Sequence, residues 1–93
     1  MNVYLSSAAK KTYDKINEPG KSRLDEALLN LSKEPPQGDI KRLKGQRDKY
    51  RGRFGGWRML FQIDPNYIDP ETSEKGAVIV IEIGPRGDVY KGV

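Results

Sequence analysis

The sequence predicts an α+β domain in the order β-α-α-β-β-β, with a helical hairpin packed on a mostly antiparallel sheet. Three observations carry this prediction. Two segments between residues 7 and 31 repeat their apolar residues at helical spacing and are separated by Pro19-Gly20. From Trp57 onward the chain alternates, with Trp57, Met59, Phe61 and Ile63 on one face and Arg58, Leu60 and Gln62 on the other. Period two over this length describes a strand with one buried face. From Ala77 to Ile83 the residues are almost all branched aliphatics, as expected of a central strand.

In chain order, residues 2–5 (Asn-Val-Tyr-Leu) favour a first strand, and Ser6 or Ser7 is placed to cap the helix that follows. In that helix Ala9, Thr12, Tyr13 and Ile16 share a face, and Pro19-Gly20 ends it. A second helix is expected from near Ser22. Ser22 and Asp25 resemble a capping box, and Leu24, Ala27, Leu28 and Leu31 form its apolar stripe. Pro35-Pro36 and Gly38 stop it, and residues 39–48 read as a basic connector anchored by Ile40 and Leu43. Strands are then expected over 49–54 and 57–63, with Gly55-Gly56 as a turn or bulge between them. Residues 64–76 are rich in turn formers and acids and read as an exposed hairpin loop. The strand at 77–83 ends at Gly84-Pro85, and residues 86–90 form a turn or short terminal strand.

At 93 residues the chain is expected to form a single domain over residues 1–93, with a modest core. There is no cysteine and no histidine. No disulfide or thiolate metal site is therefore available, and the commonest general base and metal ligand is missing. The acids are scattered, so no metal or cofactor is expected. The first residues lack a basic segment followed by an apolar run, and no stretch is long enough to span a membrane; a cytoplasmic protein is expected.

The net charge is +4, and its distribution is uneven. Lys41, Arg42, Lys44, Arg47, Lys49, Arg51, Arg53 and Arg58 fall within eighteen residues that contain one acid, Asp48. Such a surface attracts polyanions, whether nucleic acid, anionic lipid or an acidic protein, unless it is simply a solvated connector. Arg51 and Arg53 share strand parity and point the same way, whereas Gly55-Gly56 leaves the phase of Arg58 open. Arginine keeps its charge and presents paired donors to phosphate oxygens. Several arginines around one phosphate would stabilise a pentacovalent transition state. Tyrosine, with a pKa of about 10 that falls beside cations, can exchange a proton. Because RNA supplies its own 2′-hydroxyl nucleophile, Arg51, Arg53, Arg58, Arg86 and Tyr90 would suffice for a ribonuclease without metal or histidine. The same residues also suit plain nucleic-acid binding.

Three segments together resemble the RelE family of bacterial toxins: Asp39-Ile-Lys-Arg-Leu-Lys-Gly45, Tyr50-Arg-Gly-Arg-Phe-Gly-Gly-Trp-Arg-Met-Leu-Phe-Gln-Ile-Asp64 and Ile81-Glu-Ile-Gly-Pro-Arg-Gly-Asp-Val-Tyr90. The likeness covers nearly the whole chain. It implies a RelE-like fold and a toxin of a type II toxin–antitoxin system. It further implies a metal-independent messenger-RNA endonuclease, usually acting in the ribosomal decoding site, and a cognate antitoxin that blocks it. By resemblance, Arg58 grips the scissile phosphate, Arg86 stands near the leaving group and Tyr90 is the proposed base. Arg51 and Arg53 match a basic pair that contacts RNA, with Lys44 and Lys49 as further phosphate contacts. Trp57 replaces the family's usual tyrosine, and Pro85 stands where many members have histidine or lysine. ParE-type relatives on the same fold poison DNA gyrase and lack the full arginine–tyrosine set. A non-catalytic basic nucleic-acid-binding module is the third alternative.

Overall fold

The computed structural model describes residues 1–85. Its elements are β1 (Asn2–Leu5), α1 (Ser7–Lys15), α2 (Gly20–Leu31), β2 (Asp39–Arg42), β3 (Lys49–Phe54), β4 (Trp57–Ile68) and β5 (Lys75–Pro85). The strands form one sheet in the order β1-β5-β4-β3-β2. β1 pairs with β5 in parallel, and every other pairing is antiparallel. The expected α+β class, two helices against a mostly antiparallel sheet, is borne out. Among the described residues, no helix is long and apolar enough to cross a membrane.

Three local expectations are corrected. Residues 39–42 are not part of a connector but an edge strand, paired from Asp39↔Arg53 to Arg42↔Tyr50. Its single apolar residue, Ile40, gives no periodic signal, and charged flanks are typical of a protected sheet edge. The hairpin loop is also shorter than 64–76, because β4 runs on to Ile68. Pro65 is accommodated where the β4–β5 register shifts, between Asp64 and Ile68, so no ladder bond needs its missing N–H. Finally, α2 starts at Gly20, not near Ser22. The Glu18 carboxylate accepts from the Ser22 N–H at 2.8 Å and from the Ser22 hydroxyl. Asp25 instead accepts from the Tyr13 hydroxyl at 2.6 Å, which ties the two helices together.

Ser6 is the cap of α1. Its Oγ accepts from the Ala9 N–H at 3.1 Å and donates to the Ile81 carbonyl at 2.5 Å. That carbonyl belongs to a bulge: Leu60 pairs with Glu82 and Phe61 with Val80, which leaves Ile81 as the extra residue. The bulge resets the phase of β5, so Val78, Val80 and Ile83 all reach the core despite their uneven spacing. There they meet Met59 and Phe61 of β4 and the helical residues Ala9, Leu24 and Leu31, with Ile16 just beyond α1. The helices cover one face of the sheet, and the arginine-bearing face is the other.

At the far end of that open face, Tyr4 fixes β1 to the β4–β5 loop. Its hydroxyl donates to Asp69 Oδ2 at 2.5 Å, while Asp69 Oδ1 accepts from the Glu71 and Thr72 N–H groups. The Tyr4 hydrogen bond, followed by the backbone donors, holds the Asp69 carboxyl down at about 2, below its usual 3.8. The same bond to Asp69 raises Tyr4 to about 12. A lowered carboxyl pKa contributes stability above pH 3.8 and loses it as pH falls through about 2. The raised phenol contributes below pH 10 and loses that contribution as pH rises through about 12. Thermal melts of Tyr4→Phe between pH 5 and pH 2 should therefore show a shallower acid decline than the parent protein. Equal slopes would disprove the linkage.

Candidate nucleic-acid interface

The open face is built strand by strand. β3 presents Lys49, Arg51 and Arg53 at alternate positions, and its other residues, Tyr50, Gly52 and Phe54, turn to the core. β4 carries Arg58, Leu60 and Gln62 on this side, with Met59, Phe61 and Ile63 behind them; Arg58 and Leu60 are themselves buried, so β4 is covered on both sides at its centre rather than on one as its alternation predicts. Gly55-Gly56 closes a two-residue hairpin in which Phe54 pairs with Trp57 and Arg53 with Arg58. Gly55 has φ +54°, and a positive φ at a turn position is what such tight hairpins require. The phase left open by the sequence is thereby settled: Arg51, Arg53 and Arg58 share one face. β2 adds Asp39 opposite Arg53 and Lys41 opposite Arg51.

Arg53 and Arg58 are direct cross-strand neighbours. Like charges in that position destabilise a sheet unless an anion lies between or beside them. One anion is Asp39, whose Oδ2 is 3.9 Å from Arg53 Nη1. Asp39, Arg53, Phe54, Gly55, Trp57 and Arg58 line a cleft of about 340 Å³. Arg58 is its most buried cation, with 8% of its surface exposed. A buried guanidinium keeps its charge, and the low dielectric around it strengthens its pull on an incoming anion. Arg51 and Arg58 both make further contacts within the chain.

Arg51 stands between Lys41 and Leu60 in the ladder and is half-buried. Lys49 lies on the same face opposite Gln62, about 13 Å along the strand from Arg53. Lys44 is not brought to the cleft. It is exposed in the β2–β3 loop, at the hairpin end opposite Gly55-Gly56. Trp57 packs against the core from its β4 position and forms part of the cleft wall, while its other side borders Ile16 and Gly20. Arg86 and Tyr90 lie outside the described residues. The last described pairings set Gly84 opposite Arg58 and Pro85 opposite Trp57.

Asp39 is the residue that sequence reasoning missed. Once 39–48 was read as a connector, nothing placed its carboxylate among the arginines. The sequence carries no signal for it, because one apolar residue in four sets no period.

Charge on this face is graded. Lys41, Lys49, Arg51, Arg53 and Arg58 occupy β2 to β4, with Asp39 and Glu82 among them, while Asp64, Asp69, Glu71 and Glu74 gather toward the β4–β5 loop. A flexible polyanion is steered to the first region and away from the second. The arrangement can hold a phosphodiester at the Arg53–Arg58 row and lead its flanking chain over Arg51 and Lys49.

Comparison with known proteins agrees with this architecture. The family model for the ParE toxin of type II toxin–antitoxin systems, parDE, matches residues 3–90. No match is found among curated proteins. Among solved structures, the chain is similar to the archaeal RelE–RelB complex from Pyrococcus horikoshii, with a TM-score of 0.66 at 21% identity over 94% of this chain and 96% of that one. The isolated E. coli RelE toxin gives 0.65 at 22% identity, over 97% and 90% of the two chains. The RelBE2 toxin–antitoxin complex from Mycobacterium tuberculosis gives 0.64 at 19% identity, over 91% and 96%.

Proposed function

The chain belongs to the ParE toxin family of type II toxin–antitoxin systems, and from that premise we propose that it is a metal-independent endoribonuclease cutting messenger RNA, with the ribosomal A site as its place of action. The observation that carries this reading is the row of Arg53 and Arg58 on adjacent strands, extended by Arg51 on the same face. Two guanidinium groups in one cleft suit a phosphodiester, which they meet with paired donors.

The reaction is an in-line displacement within the RNA. The 2′-oxygen attacks the adjacent phosphorus, the bond to the 5′-oxygen breaks, and the products are a cyclic phosphate and a 5′-hydroxyl. Arg58 takes the charge that develops on the non-bridging oxygens. Arg51, Arg53 and Lys49 hold the flanking phosphates, with Lys44 contacting the RNA farther out. Tyr90 receives the 2′-hydroxyl proton, Arg86 holds the negative charge of the leaving 5′-oxygen, and water supplies the proton that makes that oxygen a hydroxyl. A cognate antitoxin, the other half of such a system, is the expected protein partner, and the cytoplasm is where ribosomes and message would be met. Solved relatives include complexes of RelE with RelB, which is consistent with a partner of that kind.

Primer extension on a defined message, with and without programmed ribosomes, tests this reading. Cuts phased to the reading frame that need ribosomes are the expected result. Cuts on free RNA would keep the chemistry and remove the ribosome. The name of the matching family favours a second reading, gyrase inhibition. Intact message together with blocked DNA supercoiling would establish that reading instead. Tyr90→Phe removes one oxygen and little volume, so it should retain RNA binding and lose cleavage by roughly 10²–10⁴-fold, the usual contribution of a general base. Cleavage at the parent rate would exclude Tyr90 as the base.

A further inference from the structure

We propose that Asp39 makes the cleft a nucleotide-reading site with a preference for guanine, an inference that rests on the basic face being the RNA-binding face. The observation is a single cross-strand row of charge: Asp39 on β2, Arg53 on β3 and Arg58 on β4, each directly opposite the next. All three line the same cleft. The row has an acceptor at one end and phosphate donors at the other. Its ends are two strand spacings apart, about 10 Å. A single nucleotide has the matching polarity and span, with a phosphate at one end and the Watson–Crick edge of its base at the other.

The carboxylate is not there to hold the sheet. Its contact with Arg53 is long, at 3.9 Å, and both side chains are about half exposed, at 46% and 54%. Exposed pairs of that kind add little stability. In a phosphate-binding cleft a carboxylate weakens polyanion affinity, so its presence fits a group that selects rather than one that merely attracts. Each carboxylate oxygen has two acceptor positions, so contact with Arg53 leaves both oxygens able to accept again. Guanine is the base that matches them. Its N1–H and N2–H stand side by side and meet the two oxygens together. Adenine and cytosine each set one amino group beside a ring acceptor. Uracil sets its single N–H between two carbonyl oxygens, which the carboxylate repels. Single-stranded RNA exposes these edges for reading. Among the described residues, Phe54, Gly55 and Trp57 add wall to the cleft, against which a base is sheltered from water.

The test is anisotropy titration of labelled 2′-O-methyl oligouridines, which cannot be cleaved, carrying one central guanosine, inosine or adenosine. The parent protein should bind the guanosine probe roughly tenfold more tightly than the inosine probe, which lacks the N2 amine. Asp39→Asn should bring the two within about twofold while binding plain oligouridine at least as well, since a negative charge is lost. Its melting curve should overlay the parent's. Equal parent affinity for guanosine and inosine, a preference that survives Asp39→Asn, or no binding of any probe would each overturn the proposal. Guanosine discrimination without cleavage in primer extension would sink the ribonuclease reading alone. Cleavage without discrimination would sink the guanine site alone.

Discussion

Replacing Arg58 with alanine is expected to slow single-turnover RNA cleavage by roughly 10²–10³-fold, the loss seen when one preorganised oxyanion donor is removed. Binding of uncleavable RNA should change far less. The difference between Arg58 and its neighbours lies in burial. Arg53 is half exposed, its field is screened by water and salt, and Asp39 neutralises part of it. Arg58 is 8% exposed and fixed in the middle of a ladder between Arg53 and Gly84. Its guanidinium therefore does little reorganising as charge develops on a phosphate, which is the condition for a donor to favour the transition state over the bound substrate. Arg58→Lys keeps the charge but loses the planar pair of donors, so an intermediate rate is expected. Removing a buried side chain also threatens the fold. Arg58→Met, which keeps much of the length, should melt close to the parent and still be inactive. A parent-like rate in the alanine variant would remove Arg58 from the chemistry and leave the ribonuclease reading to the other cations.

The legible parts of the sequence were those with a repeating signal. The alternation from Trp57 to Ile63 located β4 and separated Arg58 from the core, because a strand's faces follow from parity alone. The leucines of α2 located its buried stripe for the same reason at a different period. What the sequence hid lacked a period or depended on partners distant in the chain. Asp39–Arg42 has one apolar residue in four, so its strand character exists only through its pairing with β3. The bulge at Ile81 is invisible within an unbroken aliphatic run, yet it decides which aliphatics face the helices. The convergence of Arg51, Arg53 and Arg58 needed the turn geometry at Gly55-Gly56, which composition suggests without fixing the phase. Arg86 and Tyr90 stay where the resemblance put them, as proposals.

Truncating Phe61 to alanine is the prediction with the largest expected effect on folding. Phe61 is fully buried at the centre of the sheet. Its ring stacks on Tyr50 of β3 with centroids 5.6 Å apart and planes 16° from parallel. Gly52 lies against the ring: a Cβ there would stand 3.4 Å from Phe61 Cε1, in ordinary contact. Phe61 is also the first residue after the register shift at Leu60, paired with Val80, so it packs beside the bulge in the β4–β5 ladder. Phe→Ala in a core typically costs about 3–5 kcal/mol, against a total stability of about 5–15 for a domain. For a chain of this size that corresponds to a fall in melting temperature of at least about 12 °C. Thermal and urea melts measure it, and a fall of only a few degrees would mean that the core around β4 closes over the gap. The consequence for activity differs from that of Arg58→Ala and separates structure from chemistry. Phe61→Ala loses cleavage by depleting the folded population, so sucrose, which favours burial, should restore activity in proportion to the folded fraction. Arg58→Ala loses it with the fold intact, and the same addition should restore nothing.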